Sequence, residues 1–128
     1  MSLIGAALAL AAAFPPAQPT PPPAPRPLKP ATCPPGADAT CRAVTGRVVY
    51  VERVDPDGDG DLHVIVTGGS ISLPGLTAID VRPGLRPRRD PRIGDRATGA
   101  GPVQTGSYGQ QQIHALRFRV QPRRPASR

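Results

Sequence analysis

The sequence has few of the residues that build large cores, and it has no long apolar run. It contains no Trp, two Phe and two Tyr among 128 residues, which excludes a core built on aromatic side chains. Its longest uninterrupted apolar run covers twelve residues, 3–14, whereas a helix needs about 20 to span a bilayer. Glu and Lys occur once each, at Glu52 and Lys29, so nearly all charge is carried by Asp and Arg. This length allows one domain at most.

Pro and Gly are abundant, with 19 and 14 residues. Pro is concentrated between positions 15 and 35, which predicts an extended polyproline II linker, disordered and unpacked, over 14–41. The apolar run before it is typical of a secretory signal peptide, here 1–13, and a short uncleaved membrane anchor is the alternative. We therefore expect an extracytoplasmic protein, secreted or associated with the periplasm or cell wall, without a stable transmembrane helix.

The two cysteines, Cys33 and Cys41, are separated by seven residues. An even number of cysteines in an exported chain suggests a disulfide. Their spacing is not that of a CxxC metal site, and no His lies near them in the sequence. We predict a Cys33–Cys41 disulfide.

Five segments rich in β-branched residues predict strands at 44–54, 62–67, 76–81, 93–103 and 112–120. Gly46 predicts a bend or bulge in the first strand, and the three Pro of 82–92 exclude a regular helix there. In the last segment, alternation predicts that His114 shares the apolar face with Phe118. These features predict an all-β fold: a small five-stranded OB-like barrel over 42–120, followed by a disordered basic tail at 121–128. An SH3-like barrel or an open meander is the alternative.

Four short blocks carry a family resemblance. Residues 44–51 match V-T-G-x-V-x-x-V, residues 59–63 match D-G-D-x-H, and residues 94–103 and 112–115 follow a G-D-R…G-P-x-V block and an I-H block. In these blocks the chain resembles small, mostly exported bacterial OB-fold-like proteins of uncharacterised function. It departs from their pattern at Gln112 and Ala115, where the family has Glu and Pro, and at Gln110-Gln111, where it has Gly-Trp.

The acidic turn and the two histidines are candidates for a metal site. Carboxylates that alternate along a turn can bind Ca²⁺, and His with Asp can bind Zn²⁺. The alternative is an ordinary Asp/Gly turn with a structural histidine. No cofactor is expected otherwise. The candidate ligands are Asp57, Asp59, Asp61, His63 and His114.

The net charge of +7 suggests an anionic partner, although an Arg-rich composition alone could produce it. Arginines of the 82–92 loop, with the last strand and a tyrosine, are the candidate ligand-binding residues: Arg86, Arg88, Arg89, Arg119 and Tyr50. The scarcity of aromatic side chains argues against a dedicated binder of single-stranded nucleic acid.

No nucleophilic motif is present, so we expect a binding protein rather than an enzyme. The favoured function is an exported, monomeric, non-enzymatic binding or accessory module of the bacterial envelope or extracellular space. Its partner would be an anionic polymer or an envelope protein. One alternative is an anion- or single-stranded nucleic-acid-binding OB module that uses the Arg loop, and a second is a metal-dependent hydrolase at the Asp/His residues.

Overall fold

A computed structural model describes residues 1–24, 26–53 and 58–124. The predicted all-β class is confirmed, because six strands and a single 3₁₀ turn, Pro83–Leu85, make up the regular structure of these residues. The predicted site residue Asp57 and the end of the predicted tail, 125–128, lie outside the described residues. The strands are β1 (Cys41–Glu52), β2 (Leu62–Thr67), β3 (Leu76–Val81), β4 (Arg96–Thr105), β5 (Gln111–His114) and β6 (Arg117–Gln121).

Five of the strands close into a ring of pairings. β1 lies antiparallel to both β2 and β4, and β2 lies antiparallel to β3. β5 completes the ring, because it lies parallel to β3 on one side and antiparallel to β4 on the other. β6 pairs with β4 outside this ring. Each strand of the ring therefore pairs with two others, and β1 does so with its two halves in turn, which reduces the length of strand edge left unpaired.

At Gly46 and Gly101 the backbones of two chain segments lie too close together for any side chain. β1 pairs with β4 up to Arg47 and with β2 from Val48 onward, so it changes partner just after Gly46. A Cβ atom at Gly46 would overlap the carbonyl oxygen of Thr67, and one at Gly101 would overlap that of His114. The register shift in β1 falls between Val48 and Tyr50, two residues beyond the predicted position.

The core inside the ring is aliphatic. Val48, Val64 and Ile79 are fully buried there, and Phe118 is the aromatic residue that joins them. These residues alternate along their strands with outward-facing ones, so β2 buries Leu62, Val64 and Val66 and turns His63 and Ile65 outward.

The predicted last strand is divided into β5 and β6. Between them, the amide of Ala115 donates to Asp80 O of β3 and that of Leu116 donates to Ala100 O of β4, and the register against β4 shifts by one residue. This step reverses the alternation, so Ile113 is buried and His114 faces outward, opposite to the prediction for His114.

The segment that precedes β1 contacts the sheet near the end of the segment, at residues 29–33. The predicted Cys33–Cys41 disulfide is present, with Cα atoms 6.1 Å apart. Ahead of it, the carbonyl of Lys29 accepts a hydrogen bond from Arg119 (2.8 Å), and the amide of Ala31 donates to Thr98 Oγ1 (2.7 Å). The last part of the predicted linker thus runs along β6 and contacts it. Among the described residues, no helix is long and apolar enough to cross a membrane.

Candidate functional site: a polar row and a tyrosine groove

Four polar residues stand side by side on four neighbouring strands. Glu52 of β1 lies opposite His63 of β2, His63 lies opposite Asp80 of β3, and Asp80 lies opposite His114 of β5. Residues paired directly across strands share one face of the sheet. We call these four residues the polar row, and it runs across the outer face of the ring.

Asp80 is the centre of the row. Its side chain is 9% exposed and lies between two imidazoles, with His63 Nε2 3.2 Å from Oδ1 and His114 Nδ1 3.1 Å from Oδ2. His63 Nδ1 lies 3.3 Å from Glu52 Oε2 on its other side. The His114 contact is a hydrogen bond, whereas Oδ1 is close enough to His63 for an ion pair but has no well-aligned hydrogen-bond partner among the described residues.

This packing of charges shifts three pKa values. The Asp80 carboxylate, assisted by Glu52, raises the pKa of His63 above 6.5 despite partial burial of the imidazole. Burial favours a higher pKa for Asp80, but the two histidines outweigh it and lower that pKa below 3.8. Burial and the nearby charges of Asp80 and Asp59 raise the pKa of Asp61 from 3.8 to about 6.

These shifts predict that the protein is more stable at pH 5 than at pH 8. The raised pKa of His63 contributes stability that is complete below 6.5 and lost as the pH rises through the folded-state value. Asp61 keeps its proton in the folded state between pH 3.8 and about 6, so stability falls with rising pH across that window. Asp80 acts oppositely, because its lowered pKa contributes stability that is lost on acidification below 3.8.

We expect the free energy of unfolding to fall by about 1 kcal/mol from pH 5 to pH 8, after allowance for solvent screening. Urea unfolding at both pH values measures it. Asp61→Asn should flatten the profile between pH 4 and 6, and His63→Gln should flatten it above pH 6.5. A wild-type profile that rises from pH 5 to pH 8 would contradict this account of the row.

The predicted metal ligands come together only in part. His63 and His114 approach the same carboxylate, that of Asp80, which sequence reasoning did not single out. Asp59 Oδ1 accepts a hydrogen bond from the amide of Asp61 (2.8 Å), as in an ordinary Asp turn. Within 1–24, 26–53 and 58–124, no three His, Cys, Asp or Glu side chains are placed to hold a metal ion. The signal for Asp80 was an acidic residue in register for the outer face of an otherwise uncharged strand.

Beside the polar row lies a groove of about 380 Å³, which we call the tyrosine groove. Its apolar surface comes from Ile65 and Ala78 on β2 and β3, from Tyr50 on β1, and from Leu73 and Tyr108 on the neighbouring loops. The last three are large and exposed, with 53%, 62% and 71% of their surface accessible. Both tyrosines of the chain therefore lie at one groove, and Tyr50 is one of the ligand-binding residues that the sequence predicts.

Two anchored loops hold this groove open. In one, Ser72 Oγ donates to Gln111 O and accepts from the amide of Ala78, which fixes the turn that carries Leu73. In the other, the side chain of Gln110 accepts from the amide of Tyr108 (3.1 Å) and donates to Gln112 Oε1 (3.2 Å). Glu52, His63 and the glutamines at 110 and 112 supply the polar part of the lining. The groove is thus pre-formed, with polar groups beside an apolar surface.

The predicted arginine ligands do not share the contacts of this groove. Arg86 donates to Gly60 O and pairs with Asp90 (3.0 Å), Arg89 lies 3.8 Å from Asp95, and Arg119 donates to Lys29 O. Arg88 is exposed on the same loop as Arg86. Of the predicted set, only Tyr50 lines the tyrosine groove.

The serine that lines the groove is not activated as a nucleophile. An activated nucleophile needs a base within hydrogen-bond reach, but the Ser72 hydroxyl, which lines the groove, is already hydrogen-bonded within the fold. The two imidazoles of the row share one carboxylate, and each is thereby oriented. No protein-family model matches the sequence, and no curated protein is significantly similar to it, so the site's own geometry carries the functional argument.

Proposed function

We propose that the protein is an exported, non-enzymatic binding module of OB type that takes a neutral oligosaccharide in the tyrosine groove. The observation that carries this proposal is the pair of exposed tyrosines, Tyr50 and Tyr108, at the rim of a pre-formed groove. Tyr presents a broad apolar ring and a polar tip, so it can pack on a sugar ring while its hydroxyl remains hydrogen-bonded. Outer sheet faces of OB folds and the loops around them bind oligosaccharides and oligonucleotides.

Charge favours the saccharide over the oligonucleotide. Glu52 lines the groove, Asp80 lies in the adjacent row, and none of the described residues that line the groove is Lys or Arg. Binding to a phosphate backbone relies on neutralisation by such cations. The polar lining consists of amides, a carboxylate, a hydroxyl and an imidazole, which can donate to and accept from sugar hydroxyls.

The disulfide supports the extracytoplasmic part of the proposal. Disulfides persist in oxidising compartments and are rare in the cytosol of most organisms. A binding module outside the cytoplasm would meet envelope or extracellular polysaccharides.

Intrinsic tyrosine fluorescence tests the proposal directly. Because the chain has two Tyr and no Trp, its tyrosine emission comes entirely from the two residues at the groove. Titration of the oxidised protein with neutral oligosaccharides of several linkage types should change this emission saturably for at least one type. A matched single-stranded oligonucleotide should leave it unchanged once absorption of the exciting light by the bases is corrected for. Emission that responds to the oligonucleotide and to none of the sugars would overturn the proposal.

We expect replacement of Tyr108 to lower the affinity for the oligosaccharide without lowering the stability of the protein. Tyr108→Ala should weaken binding about 10-fold, since an aromatic contact contributes roughly 0.5–1.5 kcal/mol. Tyr108→Phe keeps the ring and should retain most of the affinity. Isothermal titration calorimetry measures both, and thermal unfolding checks that the exposed site tolerates the change. Equal affinity of Tyr108→Ala and the wild type would remove Tyr108 from the site.

A further inference from the structure

Away from the tyrosine groove, arginines from four parts of the chain gather around two adjoining surface grooves of about 370 and 290 Å³. Both grooves are lined by Arg123 and Arg124, which makes them neighbours. Asp95 is the acidic residue among their lining residues. We call this set the arginine cluster; its members are Arg47, Arg89, Arg92, Arg96, Arg123 and Arg124.

The buried side chain of Asp95 connects two of the segments that carry the cluster. Asp95 is 3% exposed. Its Oδ1 accepts from the amide of Arg123 (2.9 Å) and its Oδ2 from the amide of Arg92 (2.8 Å), so one buried carboxylate joins the 82–92 loop to the segment after β6. Arg89 Nη2 lies 3.8 Å from Oδ2. Asp95 supplies one negative charge against six arginines, so among the described lining residues most of the arginine charge is uncompensated.

A second feature is a pair of like charges held face to face. Arg47 of β1 and Arg96 of β4 are direct cross-strand partners. Like charges in this arrangement destabilise a sheet. Both arginines are exposed and line the larger groove. An anion bound between them would convert this repulsion into attraction.

The lining selects the chemistry of that anion. The non-arginine residues of the two grooves are Pro27, Ile93, Gly94, Asp95, Gln121 and Pro122, and none of these is aromatic. Bases therefore have no ring on which to stack. The planar guanidinium fork matches the oxygens of a phosphate group. Two grooves that meet at Arg123 and Arg124 can take successive phosphates along one chain.

We propose that the arginine cluster binds a linear chain of phosphate groups. It contacts the phosphates themselves, whether or not the chain carries bases. The site is separate from the tyrosine groove, with which it shares no lining residue among those described. It also differs from the sequence-predicted set, of which it retains Arg89 alone. Of the missed members, Arg92 lies at the end of the 82–92 loop, and the others come from β1, β4 and the segment after β6, which only the fold brings together.

The test compares three probes on the full oxidised protein: inorganic polyphosphate, an oligo-dT of matched phosphate number, and a polygalacturonate of matched charge. Fluorescence anisotropy of a labelled oligo-dT, with the other two as competitors, measures affinity at about 50 and 200 mM salt. We expect polyphosphate and oligo-dT to bind within about threefold of each other, and the carboxylate polymer at least tenfold more weakly. Oligo-dT that binds more than tenfold better than polyphosphate would indicate base recognition, and equal binding of polygalacturonate would indicate unspecific charge attraction. Either result overturns the proposal.

Two double variants of equal charge change locate the site. Arg47→Gln/Arg96→Gln removes the facing pair, whereas Arg53→Gln/Arg82→Gln removes two exposed arginines that line neither groove. The first should weaken binding about tenfold and reduce the slope of log K against log salt by about 1.4, or roughly 0.7 per lost phosphate contact. The control should change affinity less than about threefold. Equal losses in the two variants would place the binding elsewhere.

The same variants separate a binding effect from a folding effect. Because Arg47 and Arg96 repel each other across the strands, their replacement should leave the unliganded protein at least as resistant to urea as the wild type. Reduced affinity with retained or increased stability supports a ligand site. Reduced affinity with a large loss of stability would overturn it.

Discussion

Replacement of Gly101 by Ala is expected to lower the free energy of unfolding by at least about 3 kcal/mol, enough to unfold many small domains. A Cβ atom there would overlap the carbonyl oxygen of His114 and crowd the amide of Leu116. Both atoms belong to backbone, and the Leu116 amide is held by a hydrogen bond to Ala100 O. No side chain can move aside to relieve the clash, so β4 or the β5–β6 connection must shift.

Gly84→Ala is the matched control, because a Cβ atom at Gly84 has nothing within 4 Å. It should change the stability by no more than about 0.5 kcal/mol. Urea unfolding of the two variants, followed by far-ultraviolet circular dichroism, gives the comparison. Gly101→Ala with wild-type stability would mean that β4 does not approach the β5–β6 connection as closely as the ring of strands requires.

Replacement of Asp80 by Asn is expected to cost about 2–3 kcal/mol at pH 5.5, and less at pH 8. The substitution preserves shape but removes, from a buried position, the charge that lies against two imidazoles. At pH 5.5 His63 is largely protonated, because its pKa is raised, so the lost attraction is greatest there. As the pH rises His63 loses its proton, and the neutral amide would instead relieve the repulsion that raises the pKa of Asp61.

Asp90→Asn supplies the control for this change. It removes the same charge from an exposed ion pair with Arg86 (3.0 Å), and such surface pairs contribute about 0–1 kcal/mol. Its effect should be small at both pH values. If Asp80→Asn were equally mild at pH 5.5, or more costly at pH 8 than at pH 5.5, the polar row would not act as the charge network described above.

Local sequence patterns predict the strands well where the chain is regular. The bounds of β2 and β3 match the prediction, because an Asp/Gly turn and a Gly-Gly pair delimit segments of β-branched residues. The last strand is harder to predict. Its alternation looks continuous in sequence, but it is broken at Ala115 and Leu116 by hydrogen bonds to β3 and β4.

The candidate sites depend on pairings that sequence does not specify. His63 and His114 were identifiable as chemistry-bearing residues, but Asp80 joins them only because β3 lies between β2 and β5. Two arginines of the 82–92 loop have different partners: Arg86 pairs with Asp90, whereas Arg89 approaches Asp95. Register and strand order therefore decide which residues form a site.

We propose that ligands bind on the outer face around the tyrosine groove. The most direct test of this proposal is a backbone amide NMR titration of the ¹⁵N-labelled oxidised protein with the neutral oligosaccharide that changes tyrosine emission most. Binding in the groove should shift the amide signals of Tyr50, Ile65, Leu73 and Tyr108 saturably and leave those of Arg92, Arg96 and Arg123 unmoved. Shifts confined to the arginine cluster, or no saturable shift at the groove, would contradict it.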